Sequence, residues 1–380
     1  MLRIKSKRIL YKNGLFDGYV YLDGDKIAEI TAEEKAAEEC YDVGEQYLSP
    51  GFIDTHTHGG NGKDFYNSSP EDVADACNFH LLHGMTTILP TVAACPYQEI
   101  ERSVQNLALA LERGLIQANA PGAHIEGPYL SKKQCGAQSA SFITPPVKEE
   151  YERLIGLYGA YIKRWTYAPE NDEKGEFCRY ITANGILASA GHTDARYEDM
   201  LVAIENGCNL ITHLYSCTST VTREGGFRHL GVIESAFLCD ALNVELIADG
   251  KHLPPALIQM ILKIKGTDKV ILTTDSLSVA GSGVTEGVLA ATPFIIEDGV
   301  AKLPDRTAFA GSIATADTLV RTLTQSCGIS LCESVKMLTK NPARLLGLNK
   351  GEIAVGKDAD LIAFDEDVNV SAVFVMGKKI

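Results

Sequence analysis

Acidic and histidine side chains stand where strand-like runs of this sequence meet loops. Glu126 ends the apolar run 123–126, and the Gly-Pro pair at 127–128 stops the strand after it. A carboxylate is almost never fully buried without a partner, so a glutamate at the end of a core strand predicts a strong partner such as a divalent cation. Taken alone, Glu126 could equally face solvent. His56 and His58 supply matching ligands, because alternate residues of an extended segment point the same way and can share one cation.

Four more strand-like runs are each followed by a polar residue of the same kind. These residues are His192, His213, His252 and Asp275. A buried histidine that bonds to backbone is commoner than a metal ligand, so each of them alone has a structural explanation. Their recurrence at the ends of successive strands favours one shared site, because barrel enzymes gather their chemistry at the carboxyl ends of their strands. His124 lies two residues before Glu126, and we assign it a supporting role in orienting that carboxylate.

These residue types together predict a hydrolytic metal site. Two histidines and a glutamate leave one coordination position of a cation open to water, which is the pattern of a catalytic site. A cation of this kind lowers the pKa of its bound water towards about 7. Asp275 is placed to act as base and then as acid, and His252 to polarise a substrate carbonyl. The ligand set suits zinc or iron and not calcium, and the reaction is hydrolysis of an amide or a related C–N bond.

Strand-like runs alternate with helical patterns through the middle of the chain. The runs cover residues 52–54, 86–89, 123–126, 162–167, 186–190, 210–212, 244–248 and 270–274. Helical patterns cover residues 71–83, 100–113, 148–158, 195–206 and 255–265, and two more after the last strand, 313–327 and 331–346. This alternation, without any G-x-G-x-x-G motif, predicts an α/β fold of the TIM type, a (β/α)8 barrel, and not a dinucleotide-binding open sheet.

Both ends of the chain have a β-rich character that the middle lacks. Residues 2–10 alternate in part, and residues 18–30 read as a hairpin around Asp23-Gly24-Asp25. Short strands at 360–364 and 372–376 give the C-terminus the same character. We therefore expect a small β-sandwich domain built from residues 1–48 plus 350–380, with the catalytic barrel at 49–349 inserted between its halves.

Composition limits the partners of the chain. Its 380 residues are enough for a barrel of about 250 residues and an accessory domain. A formal net charge of −14 without any basic run disfavours nucleic acid as a partner. No run approaches the roughly 18 apolar residues of a membrane span, and the charged N-terminus lacks the apolar core of a signal peptide. The ten cysteines include no C-x-x-C pair, which predicts reduced thiols and a cytoplasmic location.

The order of the motifs resembles the amidohydrolase superfamily, whose members are metal-dependent barrels with a β-sandwich made from both termini. The segments PGFIDTHTHG at 50–59 and GEIAVGKDADL at 351–361 are typical of it. Within the superfamily, the chain is similar over nearly its whole length to the deacetylases of N-acetylated aminosugar phosphates, which carry Glu126 where other members usually have a lysine. Their motifs follow in order as HIEGP at 124–128, GAQ at 136–138, AGHT at 190–193, THLY at 212–215, IADG at 247–250, TD at 274–275 and FAGS at 309–312.

The resemblance implies a role for each matching residue. It implies, as metal ligands, Glu126, His192 and His213, with Asp275 as acid and base and His252 as the holder of the acetamide carbonyl. His56 and His58 match members that hold a second metal, so one or two divalent cations per subunit are expected. The implied substrate-binding residues are Ala137, Gln138, Ser216, Cys217, Arg228, Phe309, Ala310 and Gly311. The implied reaction is hydrolysis of N-acetylglucosamine 6-phosphate to glucosamine 6-phosphate and acetate by a homodimer.

The sequence departs from this group in the loop after His213. The group continues with Asn-Ala-Met where this chain has Ser216-Cys217-Thr218 and then a longer loop. The arginine that binds phosphate across the dimer interface in the group is therefore either Arg223 or Arg228, and an ungapped count back from His252 favours Arg228. Three alternatives stay open: the galactosamine isomer as substrate, an amidohydrolase of another amide or cyclic amide, and a barrel that serves as a scaffold without catalysis.

Overall fold

Eight parallel strands form a barrel in the middle of the chain, in a computed structural model that describes residues 1–380. In chain order these strands are Phe52–Thr57, Met85–Val92, Ala123–Glu126, Ile162–Tyr167, Leu187–Ala190, Leu210–Ile211, Asn243–Ile247 and Val270–Thr273. We call them the first to the eighth barrel strand. Each pairs in parallel with the next, and their residues are buried on both faces, which is why they read as short apolar runs. The predicted barrel is confirmed.

Helices cover the outside of the barrel. They are Pro70–Leu81, Tyr97–Glu112, Lys148–Tyr158, Glu176–Ala183, Tyr197–Glu205, Val232–Leu238, Pro255–Lys265, Ala316–Arg321, Leu331–Met337 and Lys340–Leu345. The fourth and sixth of these have no counterpart among the predicted helices. The single helix predicted over 331–346 is wrong, because the structure divides it at Thr339, shortly before Pro342, whose ring and missing N–H do not fit a helix interior. None of the helices combines the length and the apolar composition that crossing a membrane requires.

The first and eighth barrel strands meet through their ends, and this junction carries candidate site residues. The backbone N–H of Asp275 donates to the carbonyl of His56 over 3.0 Å. Below them, the buried carboxylate of Asp54 accepts hydrogen bonds from the hydroxyls of Thr273 and Thr274. These bonds fix Asp275 and His56 relative to each other by backbone contacts and not by their side chains alone.

A second sheet of eight strands unites the two ends of the chain. Its strands are Leu2–Tyr11, Gly14–Asp23, Lys26–Thr31, Glu39–Asp42, Tyr47–Pro50, Leu361–Phe364, Val370–Val375 and Lys378–Lys379. The fifth strand of this group pairs antiparallel with the sixth, so that Pro50 lies opposite Leu361. A cluster of 13 buried apolar residues forms a core of its own within this sheet. The two termini therefore build one separate domain, as expected from the sequence, while its boundaries at residues 48 and 350 stay a prediction.

Besides a short antiparallel pairing of Gly59–Gly60 with Lys63–Asp64, two larger β-structures have no counterpart among the predicted strands. An antiparallel sheet follows the eighth barrel strand and consists of Glu286–Leu289, Thr292–Glu297, Val300–Lys302 and Phe309–Gly311. A hairpin between the sixth and seventh barrel strands consists of Thr222–Glu224 and Phe227–His229, joined by a turn at Gly225-Gly226. We call it the 222–229 hairpin. Two glycines suit such a tight turn, because both central residues need a positive φ there.

Candidate metal centre and active site

Three candidate residues adopt a left-handed backbone conformation where barrel strands end. Their φ angles are 47° for His192, 29° for His213 and 47° for Asp275. A non-glycine residue held in this region costs about 1–3 kcal/mol, which the surrounding structure must offset. All three residues line one cavity. Strain that recurs at the carboxyl ends of barrel strands marks this end of the barrel as the functional one.

Hydrogen bonds fix the protonation of two candidate ligands. His192 Nδ1 lies 3.0 Å from the carbonyl oxygen of Gln134, and His213 Nδ1 lies 3.0 Å from the carbonyl oxygen of Ser216. A carbonyl can only accept, so each Nδ1 carries a proton and donates it. In the neutral rings each Nε2 is then left with a bare lone pair, which is the form in which histidine binds a metal.

The two bare nitrogens converge with a carboxylate. His192 Nε2 and His213 Nε2 lie 3.2 Å apart, and Glu126 Oε1 lies 3.3 Å from the first and 3.1 Å from the second. All three side chains are buried. Burial opposes ionisation of Glu126, but the surrounding histidines outweigh burial and hold its pKa well below the usual range. An anion and two lone pairs packed this closely fit a divalent cation, which accepts all three donors at once.

A second group of candidate ligands shares the same glutamate. His56 Nε2 lies 3.2 Å from Glu126 Oε1, and His58 Nε2 lies 3.2 Å from Glu126 Oε2. His56 Nε2 is buried and makes no hydrogen bond, because the contact with Glu126 lacks the required direction. Burial opposes the charged forms of both rings, but the carboxylates of Glu126 and Asp275 outweigh it and raise the pKa of His56 to about 10 and of His58 to about 9. The negative charge of the Glu126 and Asp275 carboxylates also favours the binding of a cation.

Gln138 anchors the shared glutamate. Its Nε2 donates to Glu126 Oε2 over 2.7 Å, while its Oε1 accepts from the backbone N–H of Ala94 over 2.8 Å. Because both ends of the amide are engaged, the donor is aimed at the carboxylate and cannot turn away without losing both bonds. The resemblance implied a substrate contact for Gln138, and the structure adds this contact with Glu126.

Asp275 lies beside the second group. Its Oδ1 is 3.3 Å from His58 Nε2 and 3.5 Å from His56 Nε2. Burial opposes ionisation of this aspartate, but the two histidines outweigh burial and lower its pKa below the usual value. Asp275 is therefore a carboxylate at neutral pH and can accept a proton.

His252 is held by its neighbours in the same loop. Its Nδ1 lies 2.8 Å from Asp249 Oδ2, and its backbone N–H donates to Asp249 Oδ1 over 2.9 Å. The ring of Phe309 packs edge-on against the imidazole, with 5.0 Å between ring centroids. The Asp249 carboxylate fixes a proton on Nδ1, so Nε2 is the ring atom left for a substrate.

A cavity opens above these groups. Its lining consists of His58, Glu126, Ala137, Gln138, His192, His213, Tyr215, Ser216, Cys217, Ile247, His252, Asp275, Leu289, Ala308, Phe309, Ala310 and Gly311. All the predicted substrate-binding residues are among them except Arg228. Four lining residues were given no binding role from the sequence: Tyr215, Ile247, Leu289 and Ala308. No lysine or arginine lines the cavity.

Arg228 lies on the exposed 222–229 hairpin, outside the cavity of its own chain. It stands directly opposite Arg223 in the strand pairing. Its guanidinium donates only to the carbonyl of Gly226, and neither arginine forms an ion pair within the chain. Phe227 beside it is 75% exposed. Like charges directly opposite each other on a hairpin are destabilising unless an anion or a partner offsets them.

His124 does not take the role that the sequence suggested. Its Nε2 lies 2.7 Å from Thr166 Oγ1 and its Nδ1 lies 3.2 Å from Thr91 Oγ1, so both ring nitrogens are used within the barrel. Glu126 is oriented by Gln138 instead.

Two further residues near the site were not identified from the sequence. Glu245 and Arg164 lie on the seventh and fourth barrel strands, and both side chains are fully buried. The signal for Glu245 was present, since it is an acid inside an apolar strand in the same way as Glu126. The sequence does not show that Glu245 pairs with Arg164, because the two residues lie 81 positions apart in the chain.

Comparison with known proteins places the chain in context. Residues 47–380 match the model of the amidohydrolase family. The chain is 33% identical, over 97% of its length, to the N-acetylglucosamine-6-phosphate deacetylase of Bacillus subtilis (strain 168), of which it covers 94%. It is 27% identical, over 99% of its length, to the N-acetylgalactosamine-6-phosphate deacetylase of Escherichia coli O157:H7, of which it covers 98%.

A solved structure matches the whole chain. It is a mutant N-acetyl-D-glucosamine-6-phosphate deacetylase from Mycobacterium smegmatis in complex with N-acetyl-D-glucosamine-6-phosphate. The match has a TM-score of 0.91 at 28% identity, and it covers 100% of this chain and 98% of that one. The family match and this structural match both include every candidate site residue described above.

Proposed function

The chain belongs to the amidohydrolase family, and we propose that it hydrolyses the acetamide of N-acetylglucosamine 6-phosphate, giving glucosamine 6-phosphate and acetate. The observation that carries this proposal is the buried convergence of Glu126, His192 and His213 next to Asp275, at the floor of one cavity. The relative from Bacillus subtilis is named for this substrate, and the relative from Mycobacterium smegmatis was solved with it.

We assign the cation site to the residues that converge. Glu126, His192 and His213 would hold one divalent cation, and His56 and His58 would hold a second that shares Glu126. Nitrogen and carboxylate donors of this type suit zinc or iron. A cation bound there supplies a Lewis acid and an activated water for attack on the acetamide carbon.

Asp275 is the proton carrier of the proposed reaction. As an ionised carboxylate it accepts the proton that the attacking water loses when its oxygen bonds to the acetamide carbon. It then delivers that proton to the amide nitrogen as the C–N bond breaks, so that acetate and a free amine leave. In its protonated form His252 donates from Nε2 to the carbonyl oxygen, where negative charge develops, while the Asp249 carboxylate accepts from Nδ1 and stabilises the positive ring.

The 6-phosphate needs a cation that the cavity of one chain does not contain. We propose that Arg228 of a second copy supplies it, in a homodimer. The supporting observations are the exposed 222–229 hairpin and its unpaired arginines. Arginine binds phosphate through a planar fork of donors, which makes it better suited to this task than lysine.

The proposed location of the enzyme is the cytoplasm.

One assay tests the proposed reaction. Acetate release is measured with a panel of N-acetylated hexosamines, each with and without a 6-phosphate. We expect N-acetylglucosamine 6-phosphate to have the highest kcat/KM. A preference for N-acetylgalactosamine 6-phosphate would assign the chain to the isomer for which the relative from Escherichia coli O157:H7 is named. Equal turnover with and without phosphate would favour a different amide substrate.

A further inference from the structure

A fully buried ion pair lies inside the barrel beneath the candidate metal centre. The guanidinium of Arg164 is bidentate on the Glu245 carboxylate, and both side chains have no exposed surface. Arg164 also donates to the hydroxyls of Thr55 and Thr212 over 2.9 Å each, and to that of Ser189 over 3.1 Å. A buried ion pair contributes little to stability compared with apolar residues of the same volume, so stability alone does not explain why this pair is present.

The same carboxylate contacts both groups of candidate ligands. Glu245 Oε1 lies 3.0 Å from His56 Nδ1, and it accepts from the backbone N–H of His213 over 3.2 Å. An ion-paired carboxylate can only accept hydrogen bonds, so His56 must carry its proton on Nδ1. The other ring nitrogen, Nε2, lies 3.2 Å from Glu126 Oε1 and 3.5 Å from Asp275 Oδ1 without a hydrogen bond, so it is the ring atom left to bind a cation.

We propose that the Glu245–Arg164 pair is a positioning device that commits His56 to bind a cation through Nε2. The acceptor that Glu245 offers to His56 Nδ1 thereby decides whether the group formed by His56, His58 and Glu126 holds a second divalent cation. Arg164 keeps Glu245 ionised and immobile, and Glu245 fixes the tautomer and the direction of the His56 ring. Partners of metal-binding histidines act in this way, and their loss typically lowers metal affinity by about 10–100-fold. The inference rests on the proposed cation site but not on the proposed substrate.

Two double variants distinguish the effect of the hydrogen bond between His56 and residue 245 from the effect of the ion pair between Arg164 and Glu245. Glu245→Leu with Arg164→Met removes the ion pair and the acceptor for His56. Glu245→Gln with Arg164→Met removes the same ion pair but keeps a carbonyl oxygen that can accept from Nδ1. Glu245→Met with Arg164→Leu is a second acceptor-free pair, for use if the first does not fold. His56→Asn serves as the reference for loss of the ligand itself.

The measurement is the number of Zn²⁺ ions retained per chain after incubation with excess Zn²⁺ and desalting, with circular dichroism to check folding. We expect two ions for the wild type and the Gln–Met variant, and one for the acceptor-free variants and for His56→Asn. Competition with a chelator should show the second ion bound about 10–100-fold more weakly in the acceptor-free variants.

Three results would overturn the inference. They are two tightly held ions in an acceptor-free variant, loss of the second ion in the Gln–Met variant as well, and a single ion in the wild type. No substrate enters this experiment. A failure of the deacetylase proposal would appear in the acetate assay and leave the ion count unchanged.

Discussion

His192 Nε2 and His213 Nε2 lie 3.2 Å apart, and each ring donates its Nδ1 proton to a backbone carbonyl. When both rings are neutral, the two Nε2 lone pairs repel each other at this distance, and the nearby Glu126 carboxylate adds to the repulsion. A divalent cation held by Glu126, His192 and His213 would remove this repulsion. The geometry of the two carbonyls thus makes the site dependent on a cation before any substrate is considered.

Removal of the cation should therefore destabilise the protein as well as inactivate it. A ligand present at about 100 times its Kd stabilises the folded state by about 2.7 kcal/mol. We expect treatment with a chelator to abolish acetate release and to lower the Tm by several degrees, and added Zn²⁺ or Fe²⁺ to restore both. Elemental analysis identifies the ion. Full activity in protein shown to contain no metal would rule out the assigned site.

Asp275→Asn should abolish the reaction while leaving the cation in place. Asparagine has nearly the same shape but cannot carry a proton, and a positioned acid–base group contributes about 10²–10⁴-fold. We expect kcat to fall at least that far, with an unchanged metal content and a KM close to that of the wild type. A variant within about tenfold of the wild-type kcat would remove Asp275 from the mechanism.

Gln138→Met should weaken cation binding without removing a ligand. The change deletes the 2.7 Å hydrogen bond to Glu126 and keeps the volume of the side chain. We expect the affinity for the metal to fall by about 10–100-fold in competition with a chelator. Gln134→Met is the matched control, because its side chain contacts Asp194 and only its backbone carbonyl supports His192. Equal effects of the two changes would show that Gln138 acts through general packing.

The candidate ligand residues could be selected from the sequence because each one lies at or just beyond the carboxyl end of a barrel strand. Glu126 before Gly-Pro, and histidines after short apolar runs, are local signals that need no knowledge of distant contacts. The hydrogen bonds that orient these residues could not be predicted, because they join residues that are distant in the chain. Arg164 lies in a strand with the sequence IKRWTY, where it resembles an ordinary surface residue, yet it is fully buried against Glu245. A sequence gives the type of each residue but not which distant side chain it meets.

Two larger β-structures, the 222–229 hairpin and the sheet after the eighth barrel strand, were also not predicted. The 222–229 hairpin is almost wholly exposed, so it shows no alternation of apolar and polar residues. The sheet that ends at Phe309–Gly311 is built from short strands with mixed burial, and its first and last strands reach the cavity. Periodicity reveals strands that are buried on one face and long enough to alternate, whereas the hairpin strands are exposed and the strands of this sheet have only three to six residues.

His80 should make the protein less stable in mild acid. The ring is buried, donates from Nε2 to the carbonyl of Gly59, and has no partner on Nδ1. Burial disfavours the charged ring and lowers the pKa of His80 from 6.5 to about 4. Below pH 6.5 His80 therefore binds a proton in the unfolded chain but not in the folded one. The free energy of unfolding then falls as the pH drops from 6.5 towards 4.

Urea unfolding of the metal-free protein at two pH values tests this. Between about pH 7 and pH 5, His80 should contribute a loss of about 2 kcal/mol to the free energy of unfolding. His80→Gln can still donate to Gly59 but does not titrate, so its stability should fall by about 2 kcal/mol less than that of the wild type over this range. Parallel losses in the two proteins would contradict the assignment.

Arg228→Ala should weaken catalysis only for substrates that carry the phosphate. A charge-assisted contact of this kind is worth about 1.5–3 kcal/mol, and each 1.4 kcal/mol is tenfold. We expect kcat/KM for N-acetylglucosamine 6-phosphate to fall by about 10–150-fold, and the slow turnover of the unphosphorylated sugar to stay nearly unchanged. Arg223→Ala is the matched control, because Arg223 occupies the opposite position on the same hairpin. A phosphate-selective loss in Arg223→Ala alone would exchange the roles of the two arginines.

Co-expression of two defective chains tests whether Arg228 acts across a subunit interface. In a twofold symmetric dimer, each site would combine Asp275 of one chain with Arg228 of the other. A dimer of one Asp275→Asn chain and one Arg228→Ala chain then contains one intact site and one doubly defective site. At random pairing, about a quarter of all sites should have wild-type kcat/KM for the phosphorylated sugar, well above the activity of either variant alone. If Arg228 serves the site of its own chain, no pairing creates an intact site, and the mixture shows only the average of its two parents.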